Sequence, residues 1–158
     1  MLIEEHKEGI FMPNHLDNQL CFLLYATSKE IIKHYTSLLK PYDLTYTGYI
    51  TILALEENEQ ITVKELGQRL FLDSGTLTPL LKKLEVKGYI CRERSKDDER
   101  QMQIYLTEAG NDVRRKLPEV SRQVMQQSNI SEQQFIQLKN VLQDIIHNDW
   151  TMKEKNKQ

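Results

Sequence analysis

A chain of 158 residues that is 39% hydrophobic and 28% charged suits one domain, or one subunit of an oligomer. Its formal net charge of −2 excludes a general cationic coat for nucleic acid, and no apolar run approaches the roughly 18 residues of a membrane helix. Two cysteines, Cys21 and Cys91, are too few for a disulfide scaffold, and four scattered histidines share no ligand spacing with them, so neither metal nor cofactor is expected.

Residues 1–12 read as a polar arm without the layout of a signal peptide, which points to the cytoplasm. Pro13-Asn14 break the chain, and Asp17 is the expected cap of a helix from about Leu16 to Lys40 that stops at Pro41. Leu16, Leu20, Leu23, Leu24, Ile31, Ile32, Leu38 and Leu39 cover more than one face of it, so it needs a partner besides its own core.

Cys21 falls in the first turns of this helix, where the free amides favour thiolate and apolar Leu20, Phe22 and Leu24 oppose it. Thiolate character therefore requires specific donors. Tyr25 lies at i+4 from Cys21. Tyr35 lies near the same face but about 21 Å along the axis, within reach only of the Cys21 of an antiparallel partner. Without such donors, Cys21 is a small hydrophobe like most free cysteines.

Leu44 to Leu55 forms the next helix. Thr62-Val63-Lys64-Glu65 is a capping box, followed by Leu66 and Leu70 on one face of a short helix and a link of a few residues to Ser74. Leu77, Leu80, Leu81 and Leu84 recur at i, i+3, i+4, i+7, which gathers Gly75, Thr76, Pro79, Lys82 and Lys83 on the opposite face. That outer face is small, hydroxyl-bearing and basic, which suits phosphates and base edges. Pro79 argues by itself for a helix starting at Thr78.

Gly88 ends the central helix. Tyr89 to Arg94 and Gln101 to Leu106 then read as two strands around a charged turn, Ser95 to Glu99. Residues 62–107 hold nine Lys/Arg against seven Asp/Glu, a local +2 that leaves −4 elsewhere. Thr107 caps a further helix with Val113, Leu117, Val120 and Val124 on its inner side and Pro118 to bend it. A second capping box, Ser131-Glu132-Gln133-Gln134, opens a helix striped by Phe135, Leu138, Leu142, Ile145 and Ile146. These last helices are expected to dimerise with the first. The fold class is mainly α with a small β-hairpin wing: one domain over 1–158, winged helix-turn-helix at about 44–107, dimerisation helices at about 14–43 and 108–150.

Residues 44–107, with Asp98-Glu99-Arg100 at the hairpin tip and Leu106-Thr107 closing it, resemble the MarR-type winged-helix repressors. Leu72-Asp73-Ser74-Gly75-Thr76-Leu77-Thr78-Pro79 is similar to the branch that senses organic hydroperoxides through a cysteine, the OhrR group. That likeness starts the central helix earlier, near Asp73. It also implies that Leu20-Cys21-Phe22-Leu23-Leu24-Tyr25-Ala26 carries the reactive cysteine, with Tyr35 and Tyr46 of the other subunit holding its thiolate. Relatives with a resolving cysteine carry it after the wing, where this chain has none, so it resembles the one-cysteine type and Cys91 is a strand residue.

The resemblance implies a homodimer on a palindromic operator in double-stranded DNA. Ser74, Gly75, Thr76, Thr78, Pro79, Lys82 and Lys83 face the major groove, Arg100 enters the minor groove with Asp98 orienting it, and Arg94 and Lys96 meet phosphate. Organic hydroperoxide oxidises Cys21, a small cellular thiol or a backbone nitrogen traps the product, and the operator is released. A redox-responsive regulator of broader programmes, such as virulence or biofilm, is the alternative within this class. A thiol peroxidase lacks a Cys-His pair and a resolving thiol here, and a ligand-binding repressor would leave Cys21 inert.

Overall fold

The computed structural model describes residues 15–16 and 19–148. Six helices and three strands follow in order: α1 (Leu20–Leu38), a 3-10 turn at Lys40–Tyr42, α2 (Tyr46–Ala54), β1 (Ile61–Thr62), α3 (Val63–Leu70), α4 (Ser74–Val86), β2 (Ile90–Arg94), β3 (Met102–Leu106), α5 (Glu108–Gln127) and α6 (Glu132–Ile146). The chain divides into two compact units, one running to Val124 and one from Met125. This is a mainly helical, winged-helix fold.

The helix starts follow the expected side chains. Thr62 Oγ1 accepts from the Glu65 amide at 3.2 Å while Glu65 Oε2 accepts from the Thr62 amide at 2.7 Å, a reciprocal capping box. Thr107 Oγ1 accepts from the Gly110 amide at 3.0 Å at the head of α5, and Ser131 and Gln134 close a second box before α6. Asp17 lies outside the described residues; α1 itself begins at Leu20, after Gln19, and not at Leu16.

Pro79 lies inside α4 instead of opening it. The Asp73 carboxylate takes the Thr76 amide at 2.8 Å and starts the helix at Ser74, more than a turn before the ring. Only one main-chain bond is missing at Pro79, and the buried leucine stripe outweighs that loss. Pro118 likewise sits inside an uninterrupted α5. At the other end of α4, Gly88 adopts φ 76°, its amide bonds Glu85 O at 2.9 Å, and the Tyr89 amide bonds Leu84 O at 3.1 Å. This paired closure needs a left-handed residue, which glycine supplies without a Cβ clash.

The wing is more than a hairpin. β2 and β3 pair antiparallel with Cys91 opposite Tyr105, and β1 adds a third strand through Ile61 opposite Ile104. β1 anchors the sheet to the start of α3, since Thr62 is both its last residue and the helix cap. The first unit's core takes Leu39, Ile52, Leu55, Leu66, Leu77, Leu81, Ile90, Ile104 and Leu117, all essentially inaccessible. Each such side chain contributes about 1.5–3 kcal/mol of burial. Gly67 admits the turn between α3 and α4: a Cβ there would come within 2.7 Å of Leu72 O.

The second unit presents a different picture. Phe135, Leu138, Val141, Leu142 and Ile146 of α6 are all exposed in the single chain, and so are Leu20 and Leu23 of α1. Apolar stripes of this kind are wider than the scattered exposed residues of an ordinary surface. No helix among the described residues is long and apolar enough to cross a membrane.

Candidate nucleic-acid interface and thiol site

α4 is amphipathic in the required sense. Leu77, Leu81 and Leu84 are buried and Leu80 partly so, which turns Ser74, Gly75, Thr76, Thr78, Pro79, Lys82 and Lys83 into solvent. The Thr78 hydroxyl donates to Ser74 O at 2.7 Å, leaving its lone pairs and methyl as the outward groups. Hydrogen bonding by the Thr76 amide holds the Asp73 carboxyl below its ordinary range, so it stays ionised as a cap.

The cations divide into two groups. Lys87 pairs with Asp43 at 2.9 Å and Arg92 with Glu85 at 2.5 Å; both fasten α4 to its neighbours. Lys82, Lys83, Lys96 and Arg100 are exposed and in no ion pair among the described residues. These remain available to phosphate. Arg94 donates to Glu99 O at 3.2 Å and so braces the hairpin loop.

At the wing tip Asp98 acts through the backbone. Its Oδ1 accepts from the Arg100 amide at 3.0 Å and its Oδ2 from Gln101 Nε2 at 3.3 Å, while the Gln101 amide bonds Asp98 O at 2.9 Å. Asp98 therefore acts on Arg100 through the main chain, fixing the turn from which that exposed residue extends.

Cys21 is exposed, the second residue of α1, with Tyr25 also exposed and the Lys29 ammonium 6.0 Å from the Tyr25 ring. Tyr35 lies at the other end of the same unbroken helix, about 21 Å away at 1.5 Å per residue. It is buried, and its hydroxyl donates to Ser121 Oγ on α5 at 3.2 Å. Tyr46, in the first turn of α2, meets Tyr35 at a centroid distance of 5.1 Å. Tyr49, one of five tyrosines crowded between residues 25 and 49, completes the cluster at 5.0 Å from Tyr35 and 5.8 Å from Tyr46.

Burial, then the neighbouring Tyr35, raises the Tyr46 phenol above its ordinary value. Burial and a hydrogen bond with Tyr35 raise Tyr49 further. Both phenols stay protonated across physiological pH and remain hydrogen-bond donors. The fold thus assembles Tyr35 and Tyr46 within one chain and leaves Cys21 and Tyr25 at the far end of α1. Cys91 lies in β2, half-buried, opposite Tyr105, whose hydroxyl donates to Glu93 at 2.6 Å.

Comparison with known proteins adds four findings. A family model described as "Transcriptional regulator SarA/Rot" matches residues 33–117. The HTH-type transcriptional regulator SarZ of Staphylococcus haemolyticus is 54% identical over 137 residues, spanning 87% of this chain and 93% of that protein. A crystal structure of overoxidized AbfR bound to DNA, AbfR being a Staphylococcus epidermidis protein, superposes with a TM-score of 0.67 at 34% identity over 84% of this chain and 93% of that one. A mutant of E. coli MarR complexed with operator DNA superposes with a TM-score of 0.73 over 80% of this chain and 93% of that one; at 23% identity this is a likeness of fold alone.

Proposed function

Because the chain belongs to the SarA/Rot family of transcriptional regulators, we propose that it is a homodimeric DNA-binding repressor that senses organic hydroperoxides through Cys21. The family is a regulatory and non-enzymatic one, which removes the thiol-peroxidase alternative. The observation that carries the sensing reading is the split site: an exposed thiol at one end of α1 and a packed cluster of Tyr35, Tyr46 and Tyr49 at the other. Two α1 helices running antiparallel would bring each Cys21 to the partner subunit's Tyr35 and Tyr46. The apolar faces of α1 and α6 supply the surface for that pairing.

In this reading each α4 enters a major groove and each wing an adjacent minor groove, with Arg100 inserted and Lys82, Lys83 and Lys96 on phosphates. Arg94 contributes by bracing the wing. Hydroperoxide transfers an oxygen to the Cys21 thiolate, giving sulfenic acid and the corresponding alcohol. A small cellular thiol then condenses with the sulfenic acid, forming a mixed disulfide and releasing water. The added bulk separates Cys21 from the partner subunit's phenols, and the two α4 helices lose their spacing. The overoxidized AbfR relative is bound to DNA, which favours a release driven by the adduct over one driven by oxidation of sulfur alone.

A broader redox-responsive regulator is the second reading. It uses the same residues, and the match to a family described as SarA/Rot instead of one described by hydroperoxide sensing favours it. The experiment that tests the sensing reading is hydroperoxide-driven DNA release by the wild type and by Cys21→Ser.

A further inference from the structure

Between α3, the turn after it and the wing tip lies a groove of about 980 Å³. Lys64 and Gln68 line it from the exposed side of α3, Phe71 from the turn, Ser74 from the first turn of α4, and Arg100 and Gln101 from the wing. Among the described residues, no Asp or Glu lines it. Lys64, like Arg100, is exposed and in no ion pair among the described residues. Glu65, its neighbour in sequence, is bonded to the Thr62 amide and hydroxyl in the capping box.

Phe71 is the anomaly in this groove. It has φ 54° and is 66% exposed, so its backbone is strained and its ring stands in water. The other non-glycine residues at positive φ among those described are Asp43, Asn58 and Asn129. Short polar side chains of that kind tolerate the left-handed region, whereas a bulky aromatic does not. The left-handed backbone closes α3, with the Phe71 and Leu72 amides both bonding Gly67 O, but the ring itself adds nothing to that closure and stands exposed at the edge of the groove.

The geometry of duplex DNA supplies that contact. A helix in the major groove and a wing in the next minor groove are separated by one sugar-phosphate strand. That strand has to run between the first turn of α4 and the wing tip, and the surface between them is this groove. We propose that the groove seats that strand, with Lys64 on its phosphates, Gln68 and Gln101 as neutral donors, the Phe71 ring against a deoxyribose, and Arg100 at the groove's edge where the wing enters the minor groove. The inference rests on α4 and the wing occupying adjacent grooves, as in the function proposed above.

The test uses full-length protein and a duplex of about 30 base pairs, long enough for two half-sites a turn apart, selected by this protein from a random pool. Lys64→Gln is expected to flatten the dependence of log K on log salt by about one counterion. Phe71→Asn, which suits the left-handed backbone, is expected to keep or raise the melting temperature while weakening binding several-fold. A neutral methylphosphonate at the bridging position should weaken wild-type binding and leave Lys64→Gln unaffected. Wild-type affinity and salt slope in both variants, with Lys82→Ala impaired, would overturn the groove assignment and leave the DNA-binding reading standing. Loss of effect in Lys82→Ala as well would overturn both.

Discussion

Tyr35 near the end of α1 and Tyr46 at the start of α2 meet ring against ring, centroids 5.1 Å apart and planes at 63°. The Tyr35 hydroxyl also reaches Ser121 on α5, so one side chain joins three helices. Tyr35→Phe keeps the ring contact and removes a donor. It should lower stability by about 0.5–1.5 kcal/mol, the usual net worth of one hydrogen bond. Tyr35→Phe and Tyr46→Phe should each slow oxidation of Cys21 at neutral pH while leaving DNA affinity in the reduced state near wild type. Stopped-flow measurement of thiol loss with an organic hydroperoxide checks this; wild-type rates in both variants would remove the tyrosines from the thiol site.

On the DNA side, Arg100→Ala should weaken operator binding strongly, because the turn held by Asp98 presents that guanidinium in no ion pair among the described residues. Lys82→Ala and Lys83→Ala should each reduce the salt dependence by about one counterion. Fluorescence anisotropy across a salt series separates the two effects. Equal affinity of Arg100→Ala and wild type at every salt concentration would exclude the wing from the interface.

The capping boxes at Thr62 and Ser131 were legible in the sequence because each is a local reciprocal bond over three residues. The leucine stripe of α4 was legible for the same reason, being a spacing. What escaped depended on contacts distant in sequence. β1 is two residues long and exists only because Ile61 pairs with Ile104. Tyr49 was one of several tyrosines in the same stretch, and only the fold sets it against Tyr35. Asp98 could be assigned to Arg100, but only the turn's geometry shows that it takes the amide and not the side chain. Local rules also conflicted at Pro79, where the Asp73 cap prevailed over the proline.

Arg69 makes two bonds to the Glu59 carboxylate, at 2.7 and 2.5 Å, and a third to Ala54 O at 2.9 Å, so it ties α3 to the end of α2. Hydrogen bonding by Arg69 pulls the Glu59 carboxyl down from 4.5 to about 2. A carboxylate whose folded value is depressed contributes stability above its unfolded value and loses it as pH falls toward the folded one. The stability contributed by Glu59 should therefore decline between about pH 4.5 and 2. Glu59→Gln should flatten the acid side of a melting-temperature profile in that window. An unchanged profile would mean that the pair is broken in solution.

In the proposed mechanism Cys21 alone converts hydroperoxide into release of DNA. Intact-mass analysis and anisotropy on one sample, treated with an organic hydroperoxide and excess cysteine, address it most directly. One cysteine adduct per chain, mapped to Cys21, is expected in step with DNA release, and the Cys21→Ser protein should stay bound without an adduct. Release of DNA by the Cys21→Ser protein, or a Cys21–Cys91 crosslink as the main wild-type product, would contradict it.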